Sequence, residues 1–469
     1  MVDIINFPLD QLKFVLCLIL SYPLGYLYWV LKSPSTKHLY TLSIGLFMIL
    51  FCYGLVGLLH FFVPTLIMYG IFMFAPPQYL PKIAFLFMFA YLAALHIYRM
   101  VTDYMGYKLD ATSLIMVIVI KISMFACNYY DGKRKDKEAD LITPSNLKYA
   151  VTELPSLIQY YSYLCYFPTF LSGPAFHYSE FNNWINNKHF VHPVHNPEGK
   201  SPSFPFLQTL QCFGISFVLA GIFVTVTGKY PVDVFFVEGG VDHMSFFGRF
   251  MYLHVAVMGV RCRYYFIWKL AEGAGIMSGL GFGGYDEAGN PLWDGLSNIE
   301  VLKIEICASL RDVTTYWNIK TGEWLKNYVY FRQTRNPNKD RVPGYALYLT
   351  NTASAFWHGF YPGYYFSFLY AAFTTDIARQ IRSIFRPLVT EGTGKNEKII
   401  YPKYYIYDVL GRIIALTTFN YGFLSFVALS IPQSYIAYQN LYFSGHILSL
   451  VVYAALYAYN ATAKKPKKD

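Results

Sequence analysis

The sequence is short of charge. Asp, Glu, Lys and Arg make up 14% of its 469 residues, whereas soluble domains carry about 25% because a water-facing surface needs them. Hydrophobic residues reach 55%, and the mean hydropathy is +0.31. Much of the surface must therefore face something other than water, which excludes a string of soluble domains. Aromatic residues, 19% of the chain, suit membrane interfaces and cavities that receive long apolar ligands.

Several familiar sites are also missing. No two of the seven cysteines form a C-x-x-C pair, so neither a zinc site nor a redox motif is predicted. The chain has no G-x-S-x-G nucleophile elbow. The stretch Gly279 to Gly284 satisfies G-x-G-x-x-G, but it lacks the strand before and the helix after that a dinucleotide site requires. We expect those glycines to build a tight turn, and we expect no bound cofactor or metal.

The net charge of +10 lies mostly in loops that flank apolar runs. This placement fits the positive-inside rule and attraction to anionic lipid head groups better than it fits nucleic-acid binding. The first apolar run, from Phe14 to Leu31, is long enough to remain as an anchor, so we expect no removable signal peptide.

Apolar runs long enough to cross a membrane recur along the chain. A spanning helix needs about 20 mainly apolar residues, and such regions cover 14–31, 39–81, 83–98, 111–130, 154–179, 201–228, 250–260, 342–375 and 413–463. The two longest have room for two spans each, with breaks near Pro64 and Pro432. The pattern predicts an all-α polytopic membrane protein of about ten or eleven transmembrane helices. With no internal repeat, we expect one integral domain over residues 1–469.

The basic tail, residues 464–469, gives a prediction about location. Lys465 and Lys467 are fifth and third from the end, which matches the dilysine pattern that returns membrane proteins to the endoplasmic reticulum. A generic cytosolic basic tail is the alternative, and both interpretations place the C-terminus in the cytosol. The loops on both sides of 342–375 are basic, so one of them departs from the simple charge rule.

His358 is the first candidate for chemistry. It lies within a 34-residue stretch, 342–375, that has no Asp, Glu, Lys or Arg, and a titratable side chain at membrane depth indicates function by default. Gly359 and Gly363 leave room for another chain segment or a ligand, and Pro362 can interrupt the helical hydrogen bonds. Burial favours the neutral imidazole, which can accept a proton. The alternative is a structural histidine.

Asn318 is the second candidate. An amide can orient an imidazole or donate to a developing oxyanion without bringing a charge into the membrane. Its alternative role is a helix cap or turn at the membrane boundary. The basic stretch that follows, from Lys320 to Arg341, includes Lys326 and Arg332. It is a candidate for binding anionic groups, although positive-inside topology explains it equally well.

Taken together and in order, these motifs resemble the lysophospholipid acyltransferases of the membrane-bound O-acyltransferase family, over roughly residues 120 to 450. The matching elements are Tyr130-Asp131-Gly132, Phe170 to Pro174, Trp293-Asp294, Trp317-Asn318-Ile319, Trp357-His358-Gly359 with Gly363-Tyr364, and Tyr438 to His446 with Tyr442. Broad-specificity fungal members and animal phosphatidylcholine-type members are the most similar. The His–Asp pattern of another large acyltransferase class, with four residues between, is absent from the sequence.

The resemblance implies a reaction and a set of residues. His358 and Asn318 match the family's active-site pair, which faces a chamber within the membrane. Acyl-CoA enters from the cytosol, and a lysophospholipid with a free sn-2 hydroxyl arrives from the bilayer. The implied substrate contacts are Trp293, Asp294, Trp317, Trp357, Gly359, Gly363, Tyr364, Tyr442 and His446, and the implied CoA-phosphate contacts are Lys320, Lys326 and Arg332. The alternatives are a relative that acylates a protein or a sterol, and a transporter.

Overall fold

The protein is described here from a computed structural model that covers residues 8–106, 108–134, 143–334, 342–392 and 397–463. Helix accounts for 72% of the residues. Within the described ranges, sheet is confined to two antiparallel strand pairs: β1 (Gly284–Tyr285) with β2 (Pro291–Leu292), and β3 (Thr390–Glu391) with β4 (Lys398–Ile399). The predicted all-α class is confirmed. The basic tail with Lys465 and Lys467 lies outside the described residues.

The helices are numbered in chain order. The N-terminal half contains α1 Leu9–Tyr26, α2 Pro34–Phe74, α3 Leu80–Thr102, α4 Ala111–Lys133, α5 Pro144–Leu147, α6 Leu157–Leu164, α7 Tyr178–Ile185, α8 Phe206–Lys229 and α9 Phe246–Ser278. The remainder contains α10 Val301–Glu305, α11 Leu310–Tyr316, α12 Ile319–Trp324, α13 Ala346–His358, α14 Pro362–Phe385, α15 Lys403–Ala428, α16 Ile431–Gln439 and α17 Ser444–Ala463. A π-helical turn, Leu325–Tyr330, follows α12.

Six helical segments in the described ranges are long and apolar enough to cross a membrane. They are Leu9–Trp29, Pro34–Phe74, Pro77–Thr102, Ala111–Lys133, Phe206–Lys229 and Lys403–Ala428. A seventh span is added if α16 and α17, which meet at a bend of 78°, are counted as one. The chain is therefore a multi-pass membrane protein, but by this criterion it has fewer spans than the ten or eleven predicted.

Three apolar regions, together with Pro34–Phe74, which forms one segment where two spans were predicted, explain the smaller number. Region 154–179 is not a single span, because its helix α6 ends at Leu164 and turns with Pro168 and Pro174 follow; proline cannot donate the backbone hydrogen bond that would continue a helix. Region 250–260 lies within α9, which also carries charged side chains such as Arg249, Arg261 and Lys269. Region 342–375 is divided between α13 and α14.

The break in α2 is at Gly54, not near Pro64 as predicted. Gly54 has φ 67° and ψ −166°, whereas Pro64 continues within the helix. Only glycine adopts this backbone conformation readily, because a Cβ would collide with the adjacent backbone. The other predicted break, near Pro432, is confirmed: α15 ends at Ala428 and α16 begins at Ile431.

Backbone contacts divide the chain into two compact units. The first contains Met1–Ala220, Tyr264–Ile299 and Asn318–Ala346, and the second contains Gly221–Arg263, Glu300–Trp317 and Leu347–Asp469. In the first unit, α4 packs against α2 and α3, and α2 packs against α6. In the second, α14 packs against α15 and α17, and α15 packs against α16. The predicted single integral domain remains a prediction.

The first unit contains a buried cation in α4. The Lys121 side chain is fully buried, and its Nζ donates to the carbonyl of Tyr163 at 2.8 Å. The same Nζ lies 4.3 Å from the centre of the Phe176 ring. A carbonyl oxygen and the negative faces of aromatic rings replace part of the lost hydration. These contacts explain how an apolar run can contain a lysine.

Candidate active site

His358 lies at a break between two helices in the second unit. It is the last residue of α13, and α14 begins at Pro362. Gly359 has φ 127°, and its N–H is shared between the carbonyls of Ala355 and Phe356, both at 3.1 Å. Because a side chain would strain this backbone conformation, glycine at 359 lets the chain turn directly after the histidine. The predicted interruption next to His358 is confirmed.

Aromatic rings surround the His358 imidazole. The Phe368 ring is stacked at a centroid distance of 5.2 Å, and the Phe426 ring meets the imidazole edge to face at 5.1 Å. Trp357 and Tyr364 lie at 4.7 and 5.6 Å. The histidine itself is half-buried. This partly open imidazole is a candidate proton acceptor.

Gly363 fixes the start of α14 against the end of α15. Its N–H donates to the carbonyl of Leu429 at 2.7 Å. A Cβ placed at Gly363 would lie 2.1 Å from the carbonyl oxygen of Ser425 and 2.9 Å from the Leu429 backbone. The prediction that this glycine leaves room for another chain segment is confirmed. The segment that bears His358 is thus held by a direct backbone contact.

The element from Tyr438 to His446 contacts the same part of α15. The hydroxyl of Tyr438 donates to the Ser425 hydroxyl at 2.9 Å, and the hydroxyl of Tyr421 lies 2.7 Å from Nδ1 of His446. The Tyr438 and His446 rings meet edge to face at 4.5 Å. His446 was predicted as a substrate contact, and that role remains a prediction. Its observed contacts support a positioning role for the backbone that meets Gly363.

Tyr442 lies at the 78° bend between α16 and α17. It has φ 56°, a left-handed conformation that costs free energy in a bulky residue. The Arg249 guanidinium stabilises this bend, because it lies 4.9 Å from the centre of the Tyr442 ring and donates to the carbonyl of Asn440 at 2.7 Å. Tyr442 is 56% exposed, so its ring remains accessible to a lipid.

Asn318, in the first unit, also has a left-handed backbone, with φ 45° and ψ 55°. It stands at the start of α12, but its side chain makes no capping hydrogen bond. Instead its Oδ1 accepts from Nδ2 of Asn298 at 3.2 Å. No acceptor for the Asn318 amide nitrogen is found among the residues that the structure describes. The side chain therefore presents a hydrogen-bond donor.

Asn298 holds the turn that contains Asn318. Its backbone carbonyl accepts from the Ile319 N–H at 2.9 Å, and its Oδ1 accepts from the Lys320 N–H at 3.0 Å. Asn298 is 1% exposed, so these bonds are protected from water. Three of its four polar groups (the side-chain N–H₂, the side-chain oxygen and the main-chain oxygen) thus bind the segment from 318 to 320.

The Trp293-Asp294 element lies just before Asn298. Trp293 is buried against Phe190, Cys212 and Ile276 in a hydrophobic cluster, and Asp294 is exposed. A Cβ at Gly283 would lie 2.0 Å from the Asp294 carboxylate, so the turn from 279 to 284 packs closely on this element. That turn follows a helix and precedes a strand, the reverse of a dinucleotide site, which confirms the tight-turn prediction.

An aromatic series in the second unit runs from Trp317 to His358. The Trp317 and Phe423 rings lie 5.8 Å apart, the Phe423 and Phe426 rings stack at 5.2 Å, and Phe426 contacts His358. Trp317 directly precedes Asn318 in the sequence. This series links Trp317 to the rings that surround His358.

The three predicted CoA contacts have different environments. Arg332 forms two hydrogen bonds with the carboxylate of Asp131, at 3.1 and 2.5 Å, and that carboxylate is 1% exposed. Lys320 pairs with Glu323 at 3.2 Å. Lys326 is exposed, and no carboxylate lies within salt-bridge distance of it among the described residues. Of the three, Lys326 is the most available to a phosphate.

The comparison with known families decides the assignment. The family model described as MBOAT, membrane-bound O-acyltransferase family, matches residues 95–419, which include both Asn318 and His358. The chain belongs to the membrane-bound O-acyltransferase family. The predicted family and enzyme class are therefore confirmed.

Named relatives match this family member along nearly its whole length. It is 31% identical to the human "Membrane-bound glycerophospholipid O-acyltransferase 2" over 96% of this chain and 85% of the relative. It is 30% identical to the "Lysophospholipid acyltransferase" of Schizosaccharomyces pombe over 95% and 86%. It is 29% identical to the "Lysophospholipid acyltransferase 1" of Arabidopsis thaliana over 97% and 96%.

Sequence reasoning about this O-acyltransferase missed several contact residues. Asn298 carried a weak signal, since it is an amide near the Trp293-Asp294 element. Phe368 and Phe426 carried none, because phenylalanine is abundant in every apolar run and only the tertiary structure brings these two rings to His358. Tyr421 and Ser425 were missed for the same reason. No group of three or more His, Cys, Asp or Glu side chains in the described ranges could hold a metal ion.

Proposed function

We propose that this enzyme transfers a fatty acyl group from acyl-CoA to the free sn-2 hydroxyl of a lysophospholipid. The observation that carries the proposal is that the human, fission-yeast and plant relatives, all named as glycerophospholipid or lysophospholipid acyltransferases, match 95–97% of this chain. Membership of an O-acyltransferase family favours an enzyme over the alternative of a transporter.

His358 is the proposed general base. It takes the proton from the lysophospholipid hydroxyl as the hydroxyl oxygen attacks the thioester carbonyl carbon. The C–S bond then breaks, an ester forms, and CoA leaves as a thiolate that takes up a proton. Positioned base catalysis contributes on the order of 10²–10⁴-fold. The helix break at Gly359 and the half-buried imidazole support this role.

Asn318 is the proposed oxyanion donor. Asn298 occupies the Asn318 oxygen, which directs the amide N–H₂ group outward as a donor. A developing oxyanion needs a donor and not an acceptor, so this arrangement supports stabilisation of the oxyanion over orientation of His358. One such donor is worth about 3–4 kcal/mol of transition-state stabilisation.

Acyl-CoA as the donor is supported by the basic stretch after Asn318. Lys326 is exposed, and Lys320 is paired only by a partly exposed carboxylate, so both can bind phosphate groups at modest cost. Residence in the endoplasmic reticulum, with a cytosolic C-terminus, is proposed from Lys465 and Lys467 alone. Changing both to Ala and following the protein by fractionation tests that location.

The acceptor is tested with membranes that contain the protein and labelled oleoyl-CoA. Lysophosphatidylcholine, lysophosphatidylethanolamine, lysophosphatidylserine and lysophosphatidylinositol are supplied one at a time, with cholesterol, diacylglycerol and an acceptor peptide in parallel. Transfer to one or more lysolipids, dependent on His358, is expected, and oleoyl-CoA is expected to be used in preference to a saturated acyl-CoA supplied in a parallel assay. Equal transfer to cholesterol or diacylglycerol, or transfer to the peptide alone, would contradict the proposal.

A further inference from the structure

The rings around His358 raise the question of how the enzyme avoids hydrolysis. A base that removes a proton from a lipid hydroxyl can remove one from water, and water is far more concentrated. Hydrolysis would give a free fatty acid and CoA in place of an ester and CoA. A transferase that uses a general base and a thioester must therefore keep water away from the base.

The local geometry supplies such a barrier. Phe368 covers one face of the imidazole as a stacked ring, with an interplanar angle of 26°. Phe426 meets the ring at 85°, and the Phe368 and Phe426 rings meet each other at 6.1 Å. Neither side chain can hold a water molecule by a hydrogen bond, and a water needs two to four polar partners to be retained.

Tyr364 extends the aromatic barrier formed by Phe368 and Phe426. Its ring packs on Phe426 at 4.9 Å and lies beside His358. Phe423 also stacks on Phe426 at 5.2 Å, and it is buried, so it helps to fix the orientation of the Phe426 ring. His358 remains half-buried, and the exposed part of the imidazole is the side from which a substrate hydroxyl can approach.

We infer that Phe368 and Phe426 decide which nucleophile reaches His358, admitting a lipid hydroxyl and excluding water. Both are specificity-determining residues for the transfer reaction, and the inference rests on the proposed function. In their absence, water enters and His358 takes its proton. The water oxygen then attacks the thioester carbon, the C–S bond breaks, and the products are a fatty acid and CoA.

The test measures two products at once from purified protein in lipid nanodiscs. CoA thiol release is followed with a thiol reagent, and acylated lysolipid and free fatty acid are separated after use of radiolabelled oleoyl-CoA. For the wild type, CoA release is expected to equal ester formation. Without lysolipid, wild-type CoA release is expected to fall by at least about 100-fold, because the excluded water cannot replace the acceptor. Wild-type hydrolysis within a few-fold of transfer would overturn the inference without any variant.

Phe368→Ala and Phe426→Ala are the informative variants. Each is expected to raise the ratio of fatty acid to ester by about ten-fold or more, because each opens one side of the imidazole to water. Phe368→Leu and Phe426→Leu keep apolar bulk and are expected to restore most of the wild-type ratio. If an Ala variant fails to fold, the wild-type hydrolysis measured without lysolipid still tests the inference. An unchanged ratio in folded Ala variants would overturn the inference.

Two controls separate this result from other causes. Phe373→Ala alters the same helix α14, but Phe373 packs on Tyr453, so its product ratio is expected to stay at the wild-type value. His358→Ala combined with Phe368→Ala is expected to lose hydrolysis as well as transfer; hydrolysis that persists there is not catalysed by His358 and counts against the inference. If the wild type acylates no lysolipid at all, the proposed function fails. A changed ratio of fatty acid to ester bears only on the role of Phe368 and Phe426.

Discussion

Gly363 and Ser425 approach so closely that there is no room for a methyl group between them. A Cβ at Gly363 would lie 2.1 Å from the Ser425 carbonyl oxygen, far inside van der Waals contact. This contact joins the beginning of the helix that follows His358 to the end of the helix that carries Phe426. The position of His358, the proposed general base, thus depends on a backbone-to-backbone fit.

Gly363→Ala is expected to reduce turnover strongly while the KM values change little. The added methyl must displace α14 from α15, and misplacement by about 1 Å can cost on the order of 10²-fold in rate. Gly221→Ala is the matched control, because a Cβ there meets nothing within 4 Å and alanine favours helix. Steady-state kinetics and thermal denaturation of both variants test this. Normal turnover of Gly363→Ala would show that the fit does not position His358.

His358→Ala is expected to abolish transfer without loss of protein from the membrane. Alanine removes the proposed proton acceptor, adds no bulk and buries no polar group, so turnover should fall by on the order of 10²–10⁴-fold. A structural histidine would instead lower abundance and thermal stability together with activity. Folded His358→Ala that keeps more than about a tenth of wild-type turnover would exclude general-base catalysis by this residue.

The double variant His358→Ala with Asn318→Ala should be little worse than His358→Ala alone, because residues that act as a unit are not additive. His60→Ala is the control. His60 bonds to the hydroxyl of Tyr91 at 2.8 Å and matches no motif, so most activity should remain. Independent, multiplicative effects of the two active-site changes would contradict a shared role.

Asn298→Asp is expected to change the orientation of the Asn318 side chain while the turn that contains it stays folded. Aspartate keeps the oxygen that accepts from the Lys320 N–H but cannot donate to the Asn318 oxygen. The Asn318 amide is then free to rotate and present its oxygen to the substrate. Turnover should fall, with KM for acyl-CoA and the denaturation midpoint changing less than they do in Asn298→Ala. Full activity of Asn298→Asp would show that the orientation of Asn318 is unimportant.

Substitutions of Arg332 and Lys326 are expected to have different effects, one on stability and the other on acyl-CoA binding. Arg332→Ala leaves the buried Asp131 carboxylate without its main partner, which costs about 3–5 kcal/mol of stability, although Arg134 at 3.7 Å offsets part of this. Thermal stability and yield should therefore fall. Lys326→Ala should raise KM for acyl-CoA and leave stability unchanged. The reverse pattern would show that Arg332, not Lys326, binds the CoA phosphates.

Acid should destabilise the protein through two histidines outside the membrane-spanning segments. Burial, reinforced by the charge of Lys320, lowers the pKa of His177 to about 3, and burial likewise lowers the pKa of His189 to about 3. In the unfolded chain both have a pKa of about 6.5. Below that pH the unfolded state binds protons that the folded state does not, so stability is complete above about pH 6.5 and decreases as pH falls towards 3.

Each histidine should lower the free energy of unfolding by about 1.4 kcal/mol for every unit by which pH falls within this window. The denaturation midpoint in detergent, measured from about pH 7.5 down to about pH 5, should therefore drop. His177→Gln keeps an acceptor for the Asn128 side-chain N–H₂ group, whose nitrogen lies 3.2 Å from Nδ1 of His177, and should remove about half of the drop. An unchanged pH dependence in that variant would show that His177 is not one of the groups responsible.

The sequence by itself determined the class of this protein. A scarcity of charge and long apolar runs require helices in a membrane, because lipid leaves every backbone polar group to be satisfied within the segment. The order of short motifs from Asp131 to His446 predicted the O-acyltransferase family, and a break beside His358 followed from Pro362. These features are local, so the chain shows them without reference to its partners in space.

Only the tertiary structure decided which residues support the proposed active site. Phe368 and Phe426 are two of 40 phenylalanines, and nothing local distinguishes the two rings that contact His358. Asn298 and Arg332 acquired their roles from partners 20 and 201 positions away. Gly54, and not Pro64, breaks the second helix, because glycine readily adopts the backbone conformation found there, with φ 67°. Long-range contacts of this kind depend on how helices meet, which hydrophobic periodicity alone does not specify.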